Sequence, residues 1–161
     1  MGTLLRNKLA RMVVVASMAA LMLLGFTTAL VPSQSAHAAT CSRSGCEGKD
    51  PASTGCATDS YTAAFAYVRN QQNQTLGVVQ LRYSPSCGTN WTRVTSYVGT
   101  RIMTAFVRRI ADGHREIAGG PYTVVWSPMI YSPGARTAYG YASIRSQDGT
   151  HDEGYGETQA A

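Results

Sequence analysis

The stretch TRIMTAFVRRIADGH, residues 100–114, reads two ways, and the choice between them decides the fold class. Ile102, Met103, Phe106, Val107 and Ile110 recur at helical spacing and would give a helix one apolar stripe. At period two, Ile102, Thr104, Phe106 and Arg108 share one face of a strand, and Asp112-Gly113 supplies a hairpin turn into Arg115–Ala118. The flanking segments are rich in Thr, Val and Tyr, residues that suit a pleated surface. The stretch is therefore assigned as a strand.

Working outward, the same period recurs. In SYTAAFAYV (60–68), Tyr61, Phe65 and Tyr67 fall on one parity. RNQQNQT (69–75) reads as a polar turn. LGVVQLRYS (76–84) follows, with Val79, Leu81 and Tyr83 pointing one way and Gln80 and Arg82 the other. Pro85-Ser86 ends that strand, and GTNWTRVTSYV (88–98) resumes it. Downstream, Gly119-Gly120-Pro121 turns the chain into YTVVWSPMIYSP (122–133), a strand broken by Pro128 and Pro133. TAYGYASIRS (137–146) is read as the last strand, and the polar tail 147–161 as loose. Short strands separated by Gly, Pro and Asn turns imply an all-β fold, a small disulfide-stapled sandwich or barrel.

The amino end directs the chain elsewhere. Arg6, Lys8 and Arg11 precede an apolar run from Val13 to Val31, Pro32 breaks it, and Ala36-His37-Ala38 offers small residues to a signal peptidase. That order is the plan of a secretory signal peptide over 1–38, with no stable membrane insertion once it is cut. The run is long enough to span a bilayer, which is the competing reading. Removing the leader leaves eleven basic residues against nine acidic ones. So small an excess, spread apart from Arg108-Arg109 and nearby Arg115, does not describe a nucleic-acid face.

Cys41, Cys46, Cys56 and Cys87 all follow the leader. An even number in an exported chain implies two disulfides with three possible connectivities. The spacing does not match a four-thiolate zinc site, so no metal is assigned. Residues 39–59 carry no apolar periodicity and form an irregular Cys-rich segment held on the β-domain, 60–146. At least one bridge must tie that segment to the strand region around Cys87.

Catalytic chemistry leaves few traces. There is no G-x-S-x-G elbow, H-E-x-x-H or phosphate loop, and His114 and His151 sit in a turn and in the polar tail. A carboxylate pair drawn from Glu47, Asp50, Asp59 and Glu116 is the remaining route to hydrolysis. No catalytic residue and no cofactor is assigned. Most aromatics fall on the strands, where core is their usual place. Trp91 and Trp126, if exposed beside Tyr131 or Tyr139, would instead make a sugar-stacking platform. Arg82 and Arg93 are expected to pair with acids such as Asp50 or Asp59.

The run C-x4-C-E-G-K-D-P-A-S-T-G-C from Cys41, followed by L-R-Y-S-P-S-C-G-T-N-W-T-R-V from Leu81, resembles the YjfA-like family of small secreted Gram-positive proteins, a domain of unknown function. The resemblance extends from Cys41 to the W-S-P-M-I-Y segment at 126–131. It covers the four cysteines, Gly48–Pro51, Leu81–Ser84 and Trp91, and departs at Thr92, where relatives often carry alanine. The family implies secretion and one domain, but no activity. The reading that follows is a secreted, non-enzymatic binding protein for cell-wall glycan or an extracellular protein. The alternatives are a secreted hydrolase of cell-wall or polysaccharide material, and an inhibitor or toxin-like effector.

Overall fold

Among residues 38–161, which the computed structural model describes, the chain forms β1 (Tyr61–Arg69), β2 (Thr75–Ser84), β3 (Thr89–Ser96), β4 (Arg101–Arg109), β5 (Arg115–Tyr122), β6 (Val124–Trp126), β7 (Ile130–Tyr131), β8 (Ala138–Arg145) and β9 (Asp152–Glu157). One 3-10 turn, Arg43–Cys46, precedes them. The leader read at 1–38 lies, but for Ala38, outside the described residues.

The ambiguous stretch is a strand. Met103, Ala105 and Val107 of β4 are buried, while Ile102, Thr104 and Phe106 are half-buried on the opposite face. The face singled out from the sequence is thus the outward one. Apolar residues on both sides of β4 are what imitate a helical stripe.

The strands pair antiparallel in the order β5-β4-β8-β9-β1-β2-β3-β6, with β7 also on β3. Strands β5 and β6, at the two ends of that order, are separated in the chain only by Thr123. The polypeptide therefore steps from one sheet edge to the other, and the sheet rolls into a nearly closed barrel. Small branched side chains fill it: Val68, Val79, Val94, Val125 and Ala142 pack with Met103 and Ile144. The bore is narrow. A Cβ at Gly140 would lie 2.5 Å from Thr92 Oγ1, a hydroxyl that donates to the Phe106 carbonyl at 2.7 Å.

Three sequence assignments change. Gly119-Gly120-Pro121, read as a turn, lies within β5 opposite Thr104, Met103 and Ile102, and the chain passes to β6 at Thr123. The tail read as loose supplies β9, paired with β8 from Tyr141 to Arg145 and with β1 at Arg69, so the sheet extends to Glu157. Tyr61 does not share a face with Phe65 and Tyr67. A bulge between Thr62 and Ala64 sets Tyr61 opposite Tyr83 on the inner face, whereas Phe65 and Tyr67 lie opposite Gln80 and Val78 on the outer face.

The Cys-rich segment is clamped to the outside of β3. The bridges are Cys41–Cys46 and Cys56–Cys87. They pack with Trp91 and Met129 into a core separate from the barrel interior. Backbone bonds complete the clamp: Gly48 N–H donates to Met129 O and Met129 N–H to Lys49 O, each at 2.9 Å. Two disulfides are the chemistry of an oxidising compartment, and no helix among the described residues is long and apolar enough to cross a membrane.

Candidate functional site

The outer face of β1, β2, β3 and β6 has a simple register. One row reads Phe65, Gln80, Arg93, Trp126, and the next reads Thr62, Arg82, Trp91. Residues directly opposite across a ladder share a face. Phe65 and Trp126 therefore stand about 14 Å apart, three strand spacings, with Arg93 between them.

The two tryptophans separate. Trp91 is 3% exposed, because the disulfide segment lies over it; it is the plug beside the Cys56–Cys87 bridge. Trp126 is 41% exposed, as are Phe65 and Tyr67 to a greater extent. The aromatic strands are thus not all core. A barrel too narrow for rings sends them outward. Tyr131 and Tyr139, the other rings considered for a platform, are half-buried and lie away from this row.

Asp50 fixes the Trp126 ring. One carboxylate oxygen accepts from Ala52 N–H and Ser53 N–H at 2.8 Å, capping the turn after the G-K-D-P motif. The other accepts from Trp126 Nε1 at 3.1 Å. Asp59 is equally occupied, accepting from the Ser84 hydroxyl at 2.5 Å and Ser86 N–H at 2.8 Å. Burial raises its pKa, but these hydrogen bonds outweigh that and hold it below the ordinary value.

Neither acid therefore pairs with Arg82 or Arg93, contrary to expectation. Arg82 donates to the Ser60 carbonyl and hydroxyl and to Thr62 Oγ1, at 2.7–2.8 Å. All are neutral acceptors. Arg93 Nε is buried and has no hydrogen-bond partner among the described residues. Arg145 Nε shares that condition, but Asp152 stands 3.0 Å from it; among the described residues no acid lies within ion-pair distance of Arg93. Burial, and then the charge of Arg93, lower the Arg82 pKa. Both guanidinium groups line a notch of about 160 Å³ together with Trp91, Trp126 and Pro51. It is a small pocket with excess positive charge and an aromatic wall.

The candidate acids converge only in part. His114 Nε2 lies 3.3 Å from Glu47 and 3.2 Å from Glu116. Arg109 binds Glu47 at 3.1 Å and Asp112 at 2.7 Å, and donates to the Tyr131 carbonyl. The hydrogen bond and charge of Arg109 hold the Asp112 carboxyl well below the usual carboxylate range. Asp50 and Asp59 are not in this group. His151 lies against Thr150 in the turn before β9. With Arg109 shared between Glu47 and Asp112, and His114 set between Glu47 and Glu116, the group is a surface ion-pair cluster.

Sequence reasoning named Arg82, Arg93 and Trp126 separately but did not join them. The available signal was the period-two alternation, which puts Gln80 and Arg82 outward; the cross-strand partners are supplied by register alone.

Similarity to known proteins is limited to sequence. No solved structure matches the chain. The "Uncharacterized protein YjfA" of Bacillus subtilis (strain 168) is 31% identical over 107 residues, covering 59% of this chain and 68% of that protein. A family model described as a protein of unknown function, DUF2690, matches residues 44–141, which takes in Cys46, Cys56, Cys87, Asp50, Arg82, Arg93 and Trp126. The chain belongs to this family of unknown function, DUF2690.

Proposed function

We propose that this protein is a secreted, non-enzymatic binding protein that holds an anionic saccharide of the cell envelope on the outer face of β1, β2, β3 and β6. The observation that carries the reading is Arg93: a guanidinium with a buried, unpartnered Nε, beside a second unneutralised arginine, in a notch walled by Trp126. A buried donor without an acceptor is costly unless a ligand supplies one. A carboxylate or phosphate fits the guanidinium fork in two parallel hydrogen bonds. Trp126, held on edge by Asp50, offers its face to a sugar ring, and Phe65 offers a second stacking surface along the same row. The notch takes the acidic substituent, not the whole saccharide, so specificity rests on charge and ring spacing together. The leader read in the sequence and the two disulfides support export to where envelope polymers are exposed.

Affinity electrophoresis through gels containing polygalacturonate, with neutral dextran as control, tests this. The wild-type protein is expected to be retarded by the acidic polymer alone, and Arg93→Gln and Trp126→Ala to lose most of that retardation while melting normally. Equal migration of wild type and both variants in the acidic gel rules the proposal out.

A further inference from the structure

A second concavity lies on the other side of the same strands. Its floor is the inner-face row Tyr61, Tyr83, Asn90 at the barrel mouth, and Tyr131 of β7 adds to its wall. Tyr61 and Tyr83 meet edge to face, with ring centroids 5.7 Å apart. The groove is about 860 Å³, within the range of small-ligand sites, and barrel mouths are a usual place for them. Tyr61 belongs to this row only because of the β1 bulge.

Arg43 and Arg136 line the groove. Three non-glycine residues among those described have left-handed backbone: Arg43 (φ 51°), Asn73 (φ 62°) and Arg136 (φ 57°). Asn73 sits in the β1–β2 turn, where asparagine adopts that conformation readily. The two arginines have no such local reason, yet both border one groove. Each is also firmly placed. Arg43 lies inside the Cys41–Cys46 loop, and its N–H donates to Cys87 O at 2.6 Å. Arg136 lies in a loop closed at its neck by Ser132 Oγ donating to Thr137 O at 2.9 Å and Thr137 Oγ1 donating to Ser132 O at 3.0 Å. Neither guanidinium has an acidic partner among the described residues. Two arginines with strained, hydrogen-bonded backbone and no acidic partner, set around tyrosine rings, suit an anion site.

We infer that this groove is a second binding site for an anionic saccharide, which makes the protein bivalent. The ligand chemistry rests on the function proposed above; the site does not. The acidic substituents meet Arg43 and Arg136, and a sugar ring lies over the tyrosines. Because the notch and the groove occupy opposite faces of β1, β2 and β3, one polymer chain does not thread both in register. Two sites so placed bridge separate chains, and avidity for polymer then exceeds the affinity of either site for a fragment.

Titration with two short probes, trigalacturonate and a phosphorylated maltotriose, followed by amide chemical shifts and calorimetry, separates the sites. Binding of either probe with two equivalents per protein is expected, and which probe binds decides between carboxylate and phosphate. Arg43→Gln with Arg136→Gln should remove the equivalent that shifts Tyr61, Tyr83 and Asn90, and Arg93→Gln the one that shifts Trp126. Wild-type protein should turn polymer solutions turbid by cross-linking, and either variant should not. Shifts confined to the Trp126 side overturn the groove and leave the notch standing. Shifts confined to the tyrosine row support the groove and overturn the notch. No shift at the groove with either probe ends the inference.

Discussion

Two charged patches flank the disulfide segment, and they are built oppositely. At one, Glu47 joins Arg109, Asp112, His114 and Glu116 into a network in which Arg109 faces two carboxylates and His114 lies 3.2–3.3 Å from two. At the other, three residues along the same segment, Asp50 turns to the Trp126 indole and leaves Arg82 and Arg93 without an acid. Satisfied ion pairs hold a surface together and offer little to a ligand; unsatisfied ones are expensive until something binds. The difference separates a structural patch from a binding one more clearly than the presence of arginines does.

Removing the support common to both patches should have the largest effect. Cys56–Cys87 closes a span of 31 residues and Cys41–Cys46 one of 5. Loop-closure entropy makes these worth about 3–4 and about 2 kcal/mol. Denaturant unfolding of Cys56→Ser/Cys87→Ser should show the larger loss and abolish polymer binding, and a loss no greater than that of the Cys41/Cys46 pair would contradict the clamp. Trp91→Ala comes next, at about 3–5 kcal/mol for a buried ring. It deepens the notch floor, so it should also weaken trigalacturonate binding.

The arginines test the comparison directly. Arg109→Gln strands Glu47 and the Tyr131 carbonyl and should cost about 1–2 kcal/mol. Arg93→Gln removes an unpaired buried donor and should leave the melting temperature unchanged or raised. Equal destabilisation by both would erase the distinction between the patches. The smallest effect is a pH dependence. The Asp112 pKa is depressed in the folded state, so its contribution is complete above the ordinary carboxylate value near 4 and fades as pH falls through the depressed one. Melting temperatures between about pH 5 and 2 should therefore fall slightly less for Asp112→Asn than for wild type, and coincident curves would mean that this exposed pair adds nothing.

Much of the barrel was readable before folding. Leu81 and Tyr83 inward and Gln80 and Arg82 outward follow from a two-residue period, and that period is a property of any extended strand. The cysteines and the Asp112-Gly113 turn are likewise local. Strand β9 was not readable, because DEGYGE carries glycine where propensity asks for bulk. Its reason is distant: a Cβ at Gly154 would lie 2.5 Å from Arg69 O, and one at Gly156 2.8 Å from Tyr67 O. The partners of Arg82 and Arg93 were misjudged for a similar reason. Sequence counts the available acids but not where a turn aims them, and Asp50 is spent on its own turn and on Trp126.

All-β class, stapling by cysteine and the alternation of most strands are written in residue order, because backbone geometry and turn chemistry act over a few residues. Which disulfides form, which side of the sheet Tyr61 faces after the bulge, and which arginines lack a counter-charge were settled only when the sheet closed. Those outcomes depend on groups far apart in the chain meeting within a hydrogen-bond length, and no local pattern encodes that distance.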